Sequence, residues 1–174
     1  MKEIAQTNNC YGSTFISRPY IDLVDKSKST ETFTKLKQLW QGRDLLIVEG
    51  ALTRSGVGND LFADAKSIKR IICPAKDSYQ QIDQIEQAIR VNADNRLILL
   101  MLGPTAKVVV DDLQDLNNQL IDLGHIDSEY EWFKMGATHK VKLANKHTAE
   151  FNYDEDIAAV HDQAYQNEIV ARIE

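Results

Sequence analysis

Asp127 and Glu129 stand two residues apart in the run Gly-His-Ile-Asp-Ser-Glu that ends at Glu129. In an extended segment, positions i and i+2 project to one side, so both carboxylates would share one cation. Hard oxygen donors with one nearby imidazole, His125, and no cysteine suit Mg2+ or Mn2+ rather than zinc, especially where a diphosphate adds oxygens. If the segment is helical, Asp127 pairs in space with Glu131 instead, and the acids only decorate a helix N-terminus. A second candidate is the loop holding Arg54, Gly56 and Gly58, where glycines admit a ligand to the backbone and a guanidinium offers fork-shaped donors to phosphate. No Gly-Lys-Ser/Thr follows, so it is not a Walker loop; the competing reading is glycines that merely turn the chain, with Arg54 paired to Asp60. The third is Gly103-Pro104-Thr105, whose hydroxyl and amides either hold a phosphate or ribose oxygen or simply start a helix.

What must position these groups is legible as four short apolar runs: DLLIVEG from Asp44, KRIICP from Lys69, RLILLMLG from Arg96 and QLIDLG from Gln119. Each ends at Gly or Pro and reads as a buried strand. Helical spacing appears over Ser78–Ala93, with Tyr79, Ile82, Ile85 and Ile89 on one face and Ser78 and Gln81 as a capping box. Another helix is expected from Pro104, with Val109, Val110, Leu113 and Leu116 inward, ending at Asn117 and Asn118. Phe33, Leu36, Leu39 and Trp40 mark a short helix behind Thr30 as N-cap. The order α-β-α-β-α-β-α-β predicts an α/β fold, a Rossmann-like parallel sheet with helices on both faces. Asp154–Glu174 reads as a terminal helix that opens on Asp154, Glu155 and Asp156. In such a sheet ligands bind beyond the carboxyl ends of the strands, which is where Arg54, Thr105 and Glu129 would converge.

Around that site, Tyr11–Tyr20 is dense in hydroxyls and aromatics; it either wraps across the site or packs on the sheet through Phe15, Ile16 and Tyr20. Trp132 and Phe133 offer a stacking wall or are buried core. His125 reads as a turn residue, and His139 and His147 as solvated surface.

Composition narrows the partners. The 174 residues carry 20 Lys and Arg against 26 Asp and Glu, net −6, without a basic block to neutralise a phosphate backbone, so nucleic acid is a poor partner. The longest apolar run is too short to cross a bilayer, no secretory leader is evident, and Cys10 and Cys73 make no disulfide framework; the expected address is cytoplasmic.

The runs YGSTFISRPYID, RDLLIVEG, SGVGNDLF, AKSIKRIICPAK, LMLGPTAKV and GHIDSEYEWFKMGATHK resemble the GT-D-type glycosyltransferase family, found in bacterial clusters that glycosylate surface adhesins and build cell-surface glycans. The likeness covers about residues 10 to 157. It implies a metal-dependent transferase that moves sugar from a nucleotide-sugar, with UDP the expected nucleotide, to a glycan or glycoprotein. Its Asp-X-Glu motif would fall on Asp127 and Glu129, Glu129 as main ligand of Mn2+ or Mg2+ and Asp127 in support. Arg54, Gly56 and Asn59 would lie near the donor, Gly103 and Thr105 at its phosphate or ribose, and Arg18 beside acceptor or donor. Glu49 and Asp127, at strand ends, are the candidates for the catalytic carboxylate. The family pattern also has an upstream Phe-Gly-Asp-Gly-Glu-like motif without counterpart here, so the chain is expected to correspond to the C-terminal part of the domain, completed in one version by a second chain or another copy. The alternative is a catalytically silent nucleotide-binding or assembly module.

Overall fold

The computed structural model describes residues 15–148, 150, 157 and 161–174. Its elements run α1 (Ser29–Gln38), β1 (Asp44–Gly50), β2 (Ser67–Cys73), a 3-10 turn (Ser78–Gln81), α2 (Ile82–Asn92), β3 (Leu97–Met101), α3 (Thr105–Asp112), β4 (Leu120–Asp122), α4 (Ile126–Met135), α5 (Gln163–Glu168) and β5 (Ile169–Arg172). The five strands form one sheet in the order β4-β3-β1-β2-β5. Every pairing is parallel, as the apolar runs require.

Leu45, Leu46, Ile47 and Val48 are all fully buried because β1 is covered on both faces. Leu45 and Ile47 join Leu97 and Leu99 under Phe33 of α1 and Trp132 of α4. Leu46 and Val48 join Ile98 and Leu100 under Ile85 and Ile89 of α2 and Val109 of α3. The Rossmann-like sheet with helices on both faces is therefore present. β1 is the strand from which the chain departs to either side, so the switch-point crevice opens between the carboxyl ends of β1 and β3.

Several local expectations are corrected. No helix links β1 to β2: Leu52, Arg54, Gly56 and Gly58 all have positive φ, which a right-handed helix cannot accommodate. Those turns instead deliver Leu61 and Phe62 to the core, where Trp40 Nε1 donates to Leu61 O at 2.8 Å. Thr30 lies inside α1 rather than capping it. Ser78 caps nothing, since its hydroxyl donates to Thr105 Oγ1 at 3.0 Å and α2 starts only at Ile82. α3 stops at Asp112, with Leu113 still buried in the turn beyond. The terminal helix shrinks to α5, capped by Asp162 accepting from Tyr165 N–H, and yields to edge strand β5 beside β2; Asp154, Glu155 and Asp156 lie outside the described residues, as do Cys10 and Tyr11–Thr14. No helix among the described residues is long and apolar enough to cross a membrane.

Candidate functional site

A cavity of about 480 Å³ occupies the carboxyl-end rim of the sheet. Crossing it from the β2 side to the β4 side, the walls are Tyr79 after β2, Thr53 after β1, Gly103 and Thr105 after β3, and His125 after β4, with His147 also lining it. A second cavity of about 470 Å³ adjoins it and shares Gly103, Pro104, Gly124 and His125; its own walls include Arg18, Lys107 and Asp122. Gly103 has φ +56° with nothing within 4 Å of where a Cβ would stand, so the backbone there is open to a ligand. Next to it α3 begins at Thr105, and the following Ala106 N–H and Lys107 N–H turn back to Gly103 O and Pro104 O, both at 3.2 Å.

Two of the sequence candidates, Gly103 and Thr105, line the first cavity, and Arg18 lines the second. The others are gathered elsewhere. Asp127 is almost completely buried: Oδ1 accepts from Gly56 N–H at 2.8 Å and Asn59 Nδ2 at 2.9 Å, and Oδ2 from Lys146 Nζ at 2.9 Å. Lys146 also donates to Glu131 and to Val57 O, so this cluster ties the glycine loop to α4. Burial pushes the Asp127 carboxyl above the usual range, against the pull of Lys146 and the Gly56 amide. Arg54 Nη1 donates to Asn145 O at 2.6 Å, not to Asp60, which pairs with Lys37 and Lys134. A Cβ on Gly56 would lie 2.6 Å from Phe62 Cδ2, so this glycine is required by packing.

Glu49, at the end of β1, is fully buried behind the cavity. Its oxygens accept from Ser55 N–H at 2.7 Å, Arg70 Nη1 at 2.8 Å and Tyr165 OH at 3.2 Å. Arg70 also donates to Ser55 O and Glu168, and its guanidinium lies over the Tyr165 ring. Burial works to lower the Arg70 pKa, but Glu49 and Glu168 hold it above its ordinary value. The glycine loop is thus anchored through Glu49 at one end and Asp127 at the other.

The extended geometry expected of Asp127 and Glu129 is not found, because both sit in the first turn of α4. Positions i and i+2 of a helix differ by roughly 200° around the axis, and the side chains separate accordingly. Glu129 turns away and accepts from Tyr20 N–H and Ile21 N–H, both at 3.0 Å. Burial raises its carboxyl pKa, while these two bonds oppose the shift. Among the described residues no group of three or more His, Cys, Asp or Glu side chains is placed to hold a metal ion. With the Asp127 and Glu129 contacts among the described residues directed into the protein, this pair does not fit a divalent metal.

Glu129 explains the N-terminal segment as well: Tyr20 and Ile21 are buried under its hold, whereas Phe15 and Ile16 stay more than half exposed. Trp132 is core, donating to Val141 O, and Phe133 packs against Tyr20 and Phe33. The sequence placed His125 in the turn after β4, where it does line the cavity, but spacing missed the cavity residues Asp77, Tyr79 and His147. The signal available for Tyr79 and Asp77 was their place after β2. Burial, then Arg18 and His147, lower the His125 pKa, favouring the neutral ring.

The comparisons with known proteins agree with this architecture. Residues 1–151 match the family model described as "Glycosyltransferase GT-D fold". The chain is 65% identical over 163 residues to "Probable glycosyl transferase Gly" of Streptococcus gordonii, covering 94% of this chain and 24% of that protein. It is 58% identical over 167 residues to "Glycosyltransferase GlyD" of Streptococcus pneumoniae serotype 4, covering 96% of this chain and 20% of that one. Among solved structures, one described as "The highly conserved domain of unknown function 1792 has a distinct glycosyltransferase fold" superposes with TM-score 0.92 at 67% identity, covering 94% of this chain and 59% of that one. Another, "A New Glycosyltransferase (DUF1792) from Streptococcus sanguinis", gives TM-score 0.92 at 65% identity, covering 94% and 61%. This chain thus spans a quarter or less of the curated relatives and about three fifths of the solved chains. With the parallel sheet, its rim cavity and a sequence match over most of its length, the chain belongs to the glycosyltransferase GT-D fold family.

Proposed function

We propose that this domain transfers a sugar from a nucleotide-sugar, with UDP as the nucleotide, to a hydroxyl of a glycan or glycoprotein, and that the rim cavity holds the donor. The observation that carries this is the cavity itself. It lies at the switch point of a parallel sheet in a glycosyltransferase family member, and its volume is within the range of small-molecule sites. The diphosphate lies over Gly103, where no side chain blocks the backbone, against the first turn of α3 and the Thr105 hydroxyl. Transfer forms a bond from the acceptor oxygen to the anomeric carbon as the bond from that carbon to the diphosphate breaks, and the acceptor proton leaves with a base. Glu49 and Asp127 are positioning residues in this scheme: they lie outside the cavity wall and hold the loop that carries Thr53.

Release of UDP from UDP-sugars, followed with and without Mn2+ and paired with calorimetry of UDP binding, tests the reading. Turnover supports it. UDP binding without turnover under any donor and metal leaves a silent nucleotide-binding module, and neither binding nor turnover overturns the cavity's assignment. Thr105→Val is expected to weaken UDP binding several-fold.

A further inference from the structure

We propose that Tyr79 is the platform on which the donor's nucleobase stacks, so that the donor lies along the rim with its base over the β2–α2 connection and its sugar beside His125. This rests on the reading of the cavity as a nucleotide-sugar site. Tyr79 is 59% exposed yet forms part of the cavity wall, and it is the one six-membered ring among the described residues that line it. A large ring left in water at the lip of a cavity presents a sequence-tolerant face to a planar base. Its placement is built rather than incidental. Asp77 adopts φ +53°, which turns the chain sharply after β2, and the following Ser78 is buried with its hydroxyl on Thr105. That bond joins the 3-10 turn carrying Tyr79 to the first residue of α3, spanning the crevice and fixing the ring relative to the Gly103 backbone.

The strand order then sets the direction. Along the rim the connections follow in the sequence β2, β1, β3, β4, so Tyr79 and His125 stand at opposite ends with Gly103 and Thr105 between them. A base on Tyr79 and a diphosphate over Gly103 send the sugar toward Gly124 and His125, where the second cavity with Arg18 and Lys107 begins. The acceptor enters through that second cavity.

The test is calorimetric titration of UDP, UDP-glucose and inorganic pyrophosphate into the wild type, Tyr79→Ala and Tyr79→Phe, with circular dichroism confirming that both variants fold. Loss of one stacking surface is expected to weaken UDP and UDP-glucose equally, on the order of tenfold, in Tyr79→Ala. Tyr79→Phe should bind within twofold of the wild type, and pyrophosphate should bind all three proteins alike. Unchanged UDP affinity in Tyr79→Ala overturns the inference while leaving the donor site standing. Weakening confined to UDP-glucose reverses the direction of the donor and overturns it too, as does equal weakening of pyrophosphate. A wild type that binds neither UDP nor pyrophosphate removes the reading of the cavity and the inference together.

Discussion

Lys146 Nζ lies 2.9 Å from Asp127 Oδ2 with both side chains under a tenth exposed, and through this pair a residue beyond α4 and one at its start lock the glycine loop. Removing one member leaves the other charged and buried. Lys146→Met is therefore expected to destabilise the domain by about 3–5 kcal/mol, read as a lower urea midpoint. Asp127→Asn combined with Lys146→Met should cost less than the sum of the two single changes, since the buried Asp127 charge is gone and only the less buried Glu131 still loses its partner. A single-variant loss under about 1 kcal/mol, the level of an exposed pair, would contradict the buried-pair account.

The same pair shows where sequence reading stops. The strands β1, β2 and β3 were legible because strands covered on both faces must be nearly continuous in apolar residues. β5 was not. Ile169, Ala171 and Ile173 alternate as a strand would, but the segment is four residues long and follows helix-like spacing, so periodicity alone favoured a helix. At the site, spacing located the rim and the β3–α3 turn. It could not tell that Asp127 meets Lys146, nineteen positions later in the chain, or that Glu129 meets amides more than a hundred positions earlier. Long-range partners decide whether a carboxylate faces a ligand or the core, and no local pattern encodes them.

Gly56→Ala probes the loop without touching charge. A methyl group would stand 2.6 Å from the Phe62 ring at a residue with φ +78°. Strain and overpacking together predict a loss of about 2–4 kcal/mol, measurable as a fall in Tm. Gly58, with a similar φ but open space around it, should tolerate alanine better. Equal losses at both sites would mean that backbone strain alone matters.

Glu129→Ala removes the acceptor of the Tyr20 and Ile21 amides. Hydrogen bonds to a charged group contribute about 1.5–3 kcal/mol, and a loss of that size is expected in chemical denaturation. Because these bonds hold the segment before α1, limited proteolysis should reach the chain around Tyr20 sooner in the variant. An unchanged cleavage rate would show that burial of Tyr20 and Ile21 suffices without the carboxylate.

Asp60 supplies a pH test. The bond from Lys37, with those from Lys134 and Tyr130 OH, outweighs the opposing effect of burial and holds the Asp60 carboxyl well below its ordinary value of 3.8. A depressed native pKa means that the unfolded chain binds more protons between the native value and 3.8, so stability rises with pH across that interval. The contribution is complete above the unfolded value and is lost as pH falls toward the native one. Asp60→Asn should therefore lower the urea midpoint at pH 7, and the gap from the wild type should close as pH drops below about 4. The side chain is half exposed, so added salt should shrink the pH 7 gap as well. A gap that persists unchanged at pH 2 would mean that the asparagine acts through packing, with Asp60's charge irrelevant to its partners.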